Sequence, residues 1–269
     1  MKTSFAIYLL VCGLSLSALA ASSSRDDMAE IPQGQFVPFT SKAQKVGAPQ
    51  QPTTKPREVR VSRFRLDREL VSNEEFLAFV KQTPEWRRSE VKRVFADPHY
   101  LENWKSDSKV SQSDLKSPVT FVSWFAASAY CESQGKRLPT TSEWEYALWD
   151  QGRNQEKLRD RILRWYSTPN RKRLPRVTEP EQNGLGVRGL GFTVWEWTSD
   201  FGSFLVASDT RDSNAKTDSN MFCGSGSQMG DPSDYPAFMR YSFRSSLKAN
   251  YTTGNLGFRC AKDESKDSQ

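Results

Sequence analysis

Soft sulfur donors gather in one short stretch of this chain. Met221, Cys223 and Met229 fall close together, Asp231 follows, and Gly224 and Gly226 let the backbone turn sharply around the thiol. A thiolate with thioether neighbours suits Cu(I), so copper is one cofactor this segment brings forward, with Cys223, Met221 and Met229 as ligands. The same residues also read as ordinary packing. A third reading is a recognition loop whose contacts come from Met221, Phe222, Gln228, Asp231, Asp234 and Tyr235. Asp231 and Asp234 stand at i and i+3, a spacing open to paired-carboxylate chemistry, but the flanking Pro232 and Pro236 favour turn residues. His99 is the only histidine. A facial triad of two histidines and a carboxylate therefore cannot be assembled, and no Ser-His-Asp or Cys-His arrangement can be argued.

The chain that must position these residues opens as an exported one. Lys2, an apolar run from Phe5 to Leu19 and the small residues around Ala18-Leu19-Ala20 form an export signal over 1–20. Cys12, Gly13, Ser15 and Ser17 interrupt the run, which falls short of the ~18 to 20 apolar residues of a membrane span. Nothing after Ala21 is apolar enough to cross a bilayer, so the expectation is a soluble periplasmic or secreted protein. Of four cysteines, Cys12 leaves with the signal, and three thiols in an exported chain imply one disulfide and one remainder. Lys and Arg exceed Asp and Glu for a net charge of +6, with a concentration from Lys157 to Arg176. That concentration reads as a solvated surface loop or as a site for an anionic partner such as envelope glycan or lipid. No nucleic-acid motif accompanies it.

Apolar spacing places three helices. Val71, Phe76, Phe79 and Val80 share a face over 71–81, with Ser72 or Asn73 as cap and Pro84 as stop. Ser123 to Ser133 is a second helix ended by Gly135. Ser142 to Trp149 is a third, with Thr141 or Ser142 as N-cap and Glu145 closing a capping box. Gly184, Gly186, Gly189 and Gly191 mark tight turns rather than long regular elements. The segment from Trp86 to Trp104 holds Pro98, Phe95 and both tryptophans in a polar setting, which suggests irregular chain pinned by aromatic anchors, or one wall of a cleft.

Six phrases then stand in one order. Ile31-Pro32-Gln33-Gly34-Gln35-Phe36, Phe64-Arg65-Leu66-Asp67, and Val122-Ser123-Trp124 leading to Tyr130-Cys131 precede Arg137-Leu138-Pro139-Thr140 with Glu143-Trp144-Glu145-Tyr146-Ala147. Val194-Trp195-Glu196-Trp197-Thr198 and Asn255-Leu256-Gly257-Phe258-Arg259-Cys260 complete the series. In that register the chain resembles the formylglycine-generating enzyme (sulfatase-modifying factor) domain. The resemblance implies an α+β fold, an elaborated C-type-lectin-like domain with sparse regular secondary structure. It covers 31–261, between a disordered N-terminus at 21–30 and a disordered tail at 262–269.

What the resemblance carries over is mixed. It pairs Cys131 with Cys260 in a disulfide, and leaves Cys223 as the odd thiol. It sets Arg244 on the family's arginine, which makes Arg244 a catalytic candidate beside Cys223 and Asp231. The two copper-binding cysteines of the family, spaced C-x4-C, fall on Asp231 and Pro236, so formylglycine formation is expected to be absent. Family calcium in the 186–197 loop would here draw on Glu196 and the carbonyls of Phe192 and Val194, but Gly189 and Phe192-Thr193 remove ligands and Arg188 adds a positive charge. Without calcium, Glu196 needs a cation such as Arg244 or Arg188. The leading expectation is an exported relative that works by binding an envelope protein, peptide or glycan. The alternative is an oxidoreductase or maturation factor built around Cys223.

Overall fold

The computed structural model describes residues 27–38, 58–169, 173–201 and 235–264. Its architecture is α+β with little regular secondary structure. Strand β4 (Phe64–Asp67) is the organiser, pairing antiparallel with β1 (Met28–Ile31) on one side and β7 (Ala261–Asp263) on the other. Leu66 faces Ala29 across one ladder and Ala261 across the other, and all three are fully buried. Met28 to Glu30, expected to lie in a disordered stretch, are therefore strand, and Lys262 and Asp263 continue β7 into the expected tail. The missed signal is the alternation of buried Ala29 and Ile31 about the exposed Glu30, as a half-buried strand requires. A second pair, β2 (Gly34–Phe36) with β3 (Val59–Val61), is also antiparallel. The phrase 31–36 thus divides between two sheets.

Helix α1 (Asn73–Gln82) starts on Ser72, whose side chain and Glu75 form a reciprocal capping box. Asn73 does not cap the helix. Its amide nitrogen donates to the carbonyls of Asp114, Ser117 and Pro118, and its oxygen accepts from the Trp104 indole. Helix α2 (Trp124–Ser133) is capped by Ser123, and helix α3 (Thr141–Trp149) by Thr140. In α3 the capping-box acid is Glu143, not Glu145, because the cap, Thr140, lies two residues before Ser142, whose spacing pointed to Glu145. Glu145 instead points inward, its Oε1 3.9 Å from Arg240 Nη1.

Two further helices were not anticipated. Helix α4 (Gln155–Ser167) occupies the basic stretch read as a surface loop, and packs Leu158, Ile162 and Tyr166, four residues apart, against the β-strand core. Helix α5 (Tyr235–Ser246) begins where Pro236 was read as a turn residue; proline is at home in a first helical turn. The larger core brings Phe76, Phe79, Tyr130 and Phe258 into edge and tilted ring contacts at 5.4 to 6.0 Å. Cys131 of α2 and Cys260 lie inside that core, sulfurs 2.01 Å apart and Cα atoms 5.6 Å apart, within disulfide geometry. Among the described residues, no helix is long and apolar enough to cross a membrane.

Candidate functional site

Strands β5 (Trp195–Glu196) and β6 (Leu256–Gly257) run parallel and bring the Trp-Glu-Trp phrase onto the Asn-Leu-Gly-Phe-Arg-Cys phrase. The Trp195 N–H donates to the Asn255 carbonyl at 2.7 Å, and the Trp197 N–H to the Gly257 carbonyl at 3.0 Å. Gly257 has no room for a side chain, since a Cβ there would lie 2.8 Å from the Val119 carbonyl oxygen. This close approach sets Glu196 against Arg259. Arg259 Nε donates to Glu196 Oε2 at 2.6 Å and Nη2 to Oε1 at 3.1 Å, with both side chains fully buried. Nη1 donates to the carbonyls of Asp67 and Arg68, and Nη2 also to that of Arg188. Every guanidinium N–H therefore has an acceptor, the condition under which a buried charge is tolerated.

The sequence reading expected Arg188 or Arg244 as the partner of Glu196; it is Arg259. Arg188 contributes only its carbonyl, and turns its guanidinium to Glu69 and to the Pro180 carbonyl. Arg244 lies in the last turn of α5. Next to the pair, the Asp67 carboxylate accepts from Lys136 Nζ at 2.7 Å and from the Cys260 N–H at 2.9 Å. Burial pushes the Asp67 carboxyl up from its ordinary value, and Lys136 opposes that shift.

This geometry bears on calcium. Both Glu196 oxygens face the Arg259 guanidinium. A dication beside Arg259 would meet like charge with one carboxylate already engaged, so these residues do not fit a calcium ion. Among the described residues, no group of three or more His, Cys, Asp or Glu side chains is arranged to hold a metal. Cys223, Met221, Met229, Phe222, Gln228, Asp231 and Asp234 lie outside the described residues, and Tyr235 opens α5.

Among the described residues a cleft of about 1050 Å³ is lined by Phe192 but not by Glu196 or Val194. Phe121, Trp165, Asn103 and Asn255 are among its walls. Phe121 adopts φ 57°, a left-handed conformation that costs a bulky residue roughly 1 to 3 kcal/mol. It is held there from both sides: its N–H donates to the Thr253 carbonyl at 2.9 Å, and its carbonyl accepts from Leu101, itself at φ 49°. Opposite, α4 supplies Trp165, Arg161 and Arg164. Arg161 is paired with Glu181 at 2.6 Å and Arg173 with Asp114 at 3.1 Å, so the cleft presents fixed, planar, hydrogen-bonding groups between aromatic faces. The back of the Trp165 wall is the Trp195 indole, which stacks on Phe243 of α5 at 4.4 Å and on Tyr166 at 5.5 Å. The buried ion pair and the cleft are thus joined through one strand. Leu158-Ile162-Tyr166 spacing could have revealed α4 and with it Trp165; nothing in the sequence singles out Phe121.

The chain is a member of the sulfatase-modifying factor enzyme 1-like domain family, whose model matches residues 16–264. It is 31% identical to the formylglycine-generating enzyme of Streptomyces coelicolor over 258 residues, covering 76% of this chain and 80% of that protein. It is also 31% identical over 170 residues to the inactive C-alpha-formylglycine-generating enzyme 2 of Bos taurus, covering 55% of this chain and 50% of that one. Among solved structures, that of PvdO from Pseudomonas aeruginosa is similar with a TM-score of 0.49 and 18% identity, over 88% of this chain and 94% of the other.

Proposed function

We propose that this protein is an exported family member that does not form formylglycine and acts by binding an envelope protein, peptide or glycan in the cleft between Phe121 and Trp165. One observation carries the reading: its sulfur inventory. Cys131 and Cys260 sit against each other in the core. Cys12 falls in the export signal, and Asp231 and Pro236 stand where the family's thiol pair belongs, so Cys223 is the one thiol left. A copper centre that needs two thiolates does not fit a single cysteine. The cleft supports the binding half of the proposal, since a strained aromatic held by backbone hydrogen bonds, a tryptophan face and ion-paired arginines are preorganised for a ligand.

A second reading keeps an oxidoreductase or maturation role centred on Cys223, and similarity to proteins named formylglycine-generating enzymes favours it. Incubating the protein with a Cys-x-Pro-x-Arg peptide, copper and oxygen separates the two. The expected mass spectrum shows unchanged peptide. Conversion of the cysteine to an aldehyde would overturn the proposal. In parallel, peptide and glycan arrays are expected to show binding by the wild type that Trp165→Ala reduces tenfold or more.

A further inference from the structure

Val94 and Phe95 are the exposed large hydrophobic side chains among the described residues, 65% and 38% accessible. They end a stretch, 87–95, that carries Arg87, Arg88, Lys92 and Arg93 against the single carboxylate of Glu90. Among the described residues none of these four cations has a carboxylate within ion-pair distance; Arg88 donates only to the Trp104 carbonyl. Elsewhere among the described residues Arg63, Arg161 and Arg173 are ion-paired while the exposed Arg60, Arg164 and Arg176 are not, so what distinguishes this stretch is four unpaired cations beside two exposed apolar side chains.

The tip is firmly mounted. Two consecutive turns close on Arg87 and Lys92, through the Val91 N–H at 2.9 Å and the Ala96 N–H at 3.2 Å. The Phe95 ring packs on Trp86 at 6.1 Å and Phe125 at 5.3 Å, and Ala96 is fully buried. Behind it the Asp97 carboxylate accepts from the Thr252 N–H at 3.1 Å, tying the segment to the chain that enters β6. Ordering this tip on a partner therefore costs little conformational entropy.

Uncompensated cations beside an apolar tip are complementary to a bilayer interface with anionic headgroups. The Arg and Lys heads meet phosphates, their stems lie along the acyl boundary, and the apolar tip enters it. Two apolar side chains fall well short of the core of a stable protein–protein interface, which takes about 800 Å² from each partner. We propose that the Val94-Phe95 tip docks this protein, peripherally and reversibly, on an anionic bilayer surface.

Sedimentation of the mature full chain with vesicles tests the proposal. Vesicles of phosphatidylglycerol and phosphatidylethanolamine are expected to bind the protein at least tenfold more strongly than phosphatidylcholine vesicles, with the difference shrinking as salt rises. The Lys92→Glu/Arg93→Glu variant is expected to lose that preference, and Val94→Asp to bind at least fivefold more weakly, both at the wild-type melting temperature. Lys92→Ala/Arg93→Ala serves as a second variant should the charge reversal disturb folding. Equal sedimentation with both vesicle types, or variants that bind as wild type does, would overturn the proposal. So would an acidic protein that binds through Lys92 and Arg93 while anionic vesicles do not bind.

Discussion

Arg259 serves Glu196 and three main-chain carbonyls at once, so the pair is a junction rather than an isolated ion pair. Removing the charge of Glu196 leaves a buried guanidinium without its counter-ion, which typically costs about 3 to 5 kcal/mol. Glu196→Gln is accordingly expected to melt well below the wild type while keeping native-like circular dichroism at low temperature; an unchanged melting temperature would show that the pair does not stabilise the fold. That Glu196 is buried and paired is readable from the tryptophans on either side of it. Its partner is not, because Arg259 is 63 residues away and meets it only through the parallel register of Trp195 on Leu256 and Glu196 on Gly257. Phe121 is a harder case: its left-handed backbone is imposed by Thr253 and Leu101, and a phenylalanine in a Val-Thr-Phe-Val run signals nothing of the kind.

Helices reveal themselves by caps and by period, and the difference between those read and those missed follows from that. α1 and α2 have serine caps before apolar faces, and both are found within two residues of their expected starts. α4 has no side-chain cap, its Asn154 lies in the left-handed region, and its charged residues mask the apolar stripe of Leu158, Ile162 and Tyr166. At the same scale, Cys131 and Cys260, which are 129 residues apart, join α2 to the segment between β6 and β7. In the chain-entropy picture a bond closing so long a loop contributes about 5 kcal/mol. Non-reducing peptide mapping of the purified protein is expected to recover the two cysteines in one linked fragment, and Cys131→Ser to lower the melting temperature markedly. Recovery of both as free thiols would show the bond is not formed.

The whole molecule is closed by segments far apart in the chain. β4 has β1 on one edge and β7 on the other, Phe258 and Cys260 sit in the main core, and Arg259 holds the loops after β4. A chain ending at Asn255 would lack β6, β7, one cysteine and the counter-ion of Glu196. It is expected to show no cooperative thermal transition and little near-ultraviolet circular dichroism; a sharp transition would mean that the remaining residues form a core of their own.

β7 also sets a timetable for synthesis. Because residues 256–263 complete the sheet, the core and the ion pair together, the preceding polypeptide emerges from the ribosome unable to close its own structure. The long-range contacts these residues form are of the slow kind. Residues 256–263 act as the clasp that closes the fold.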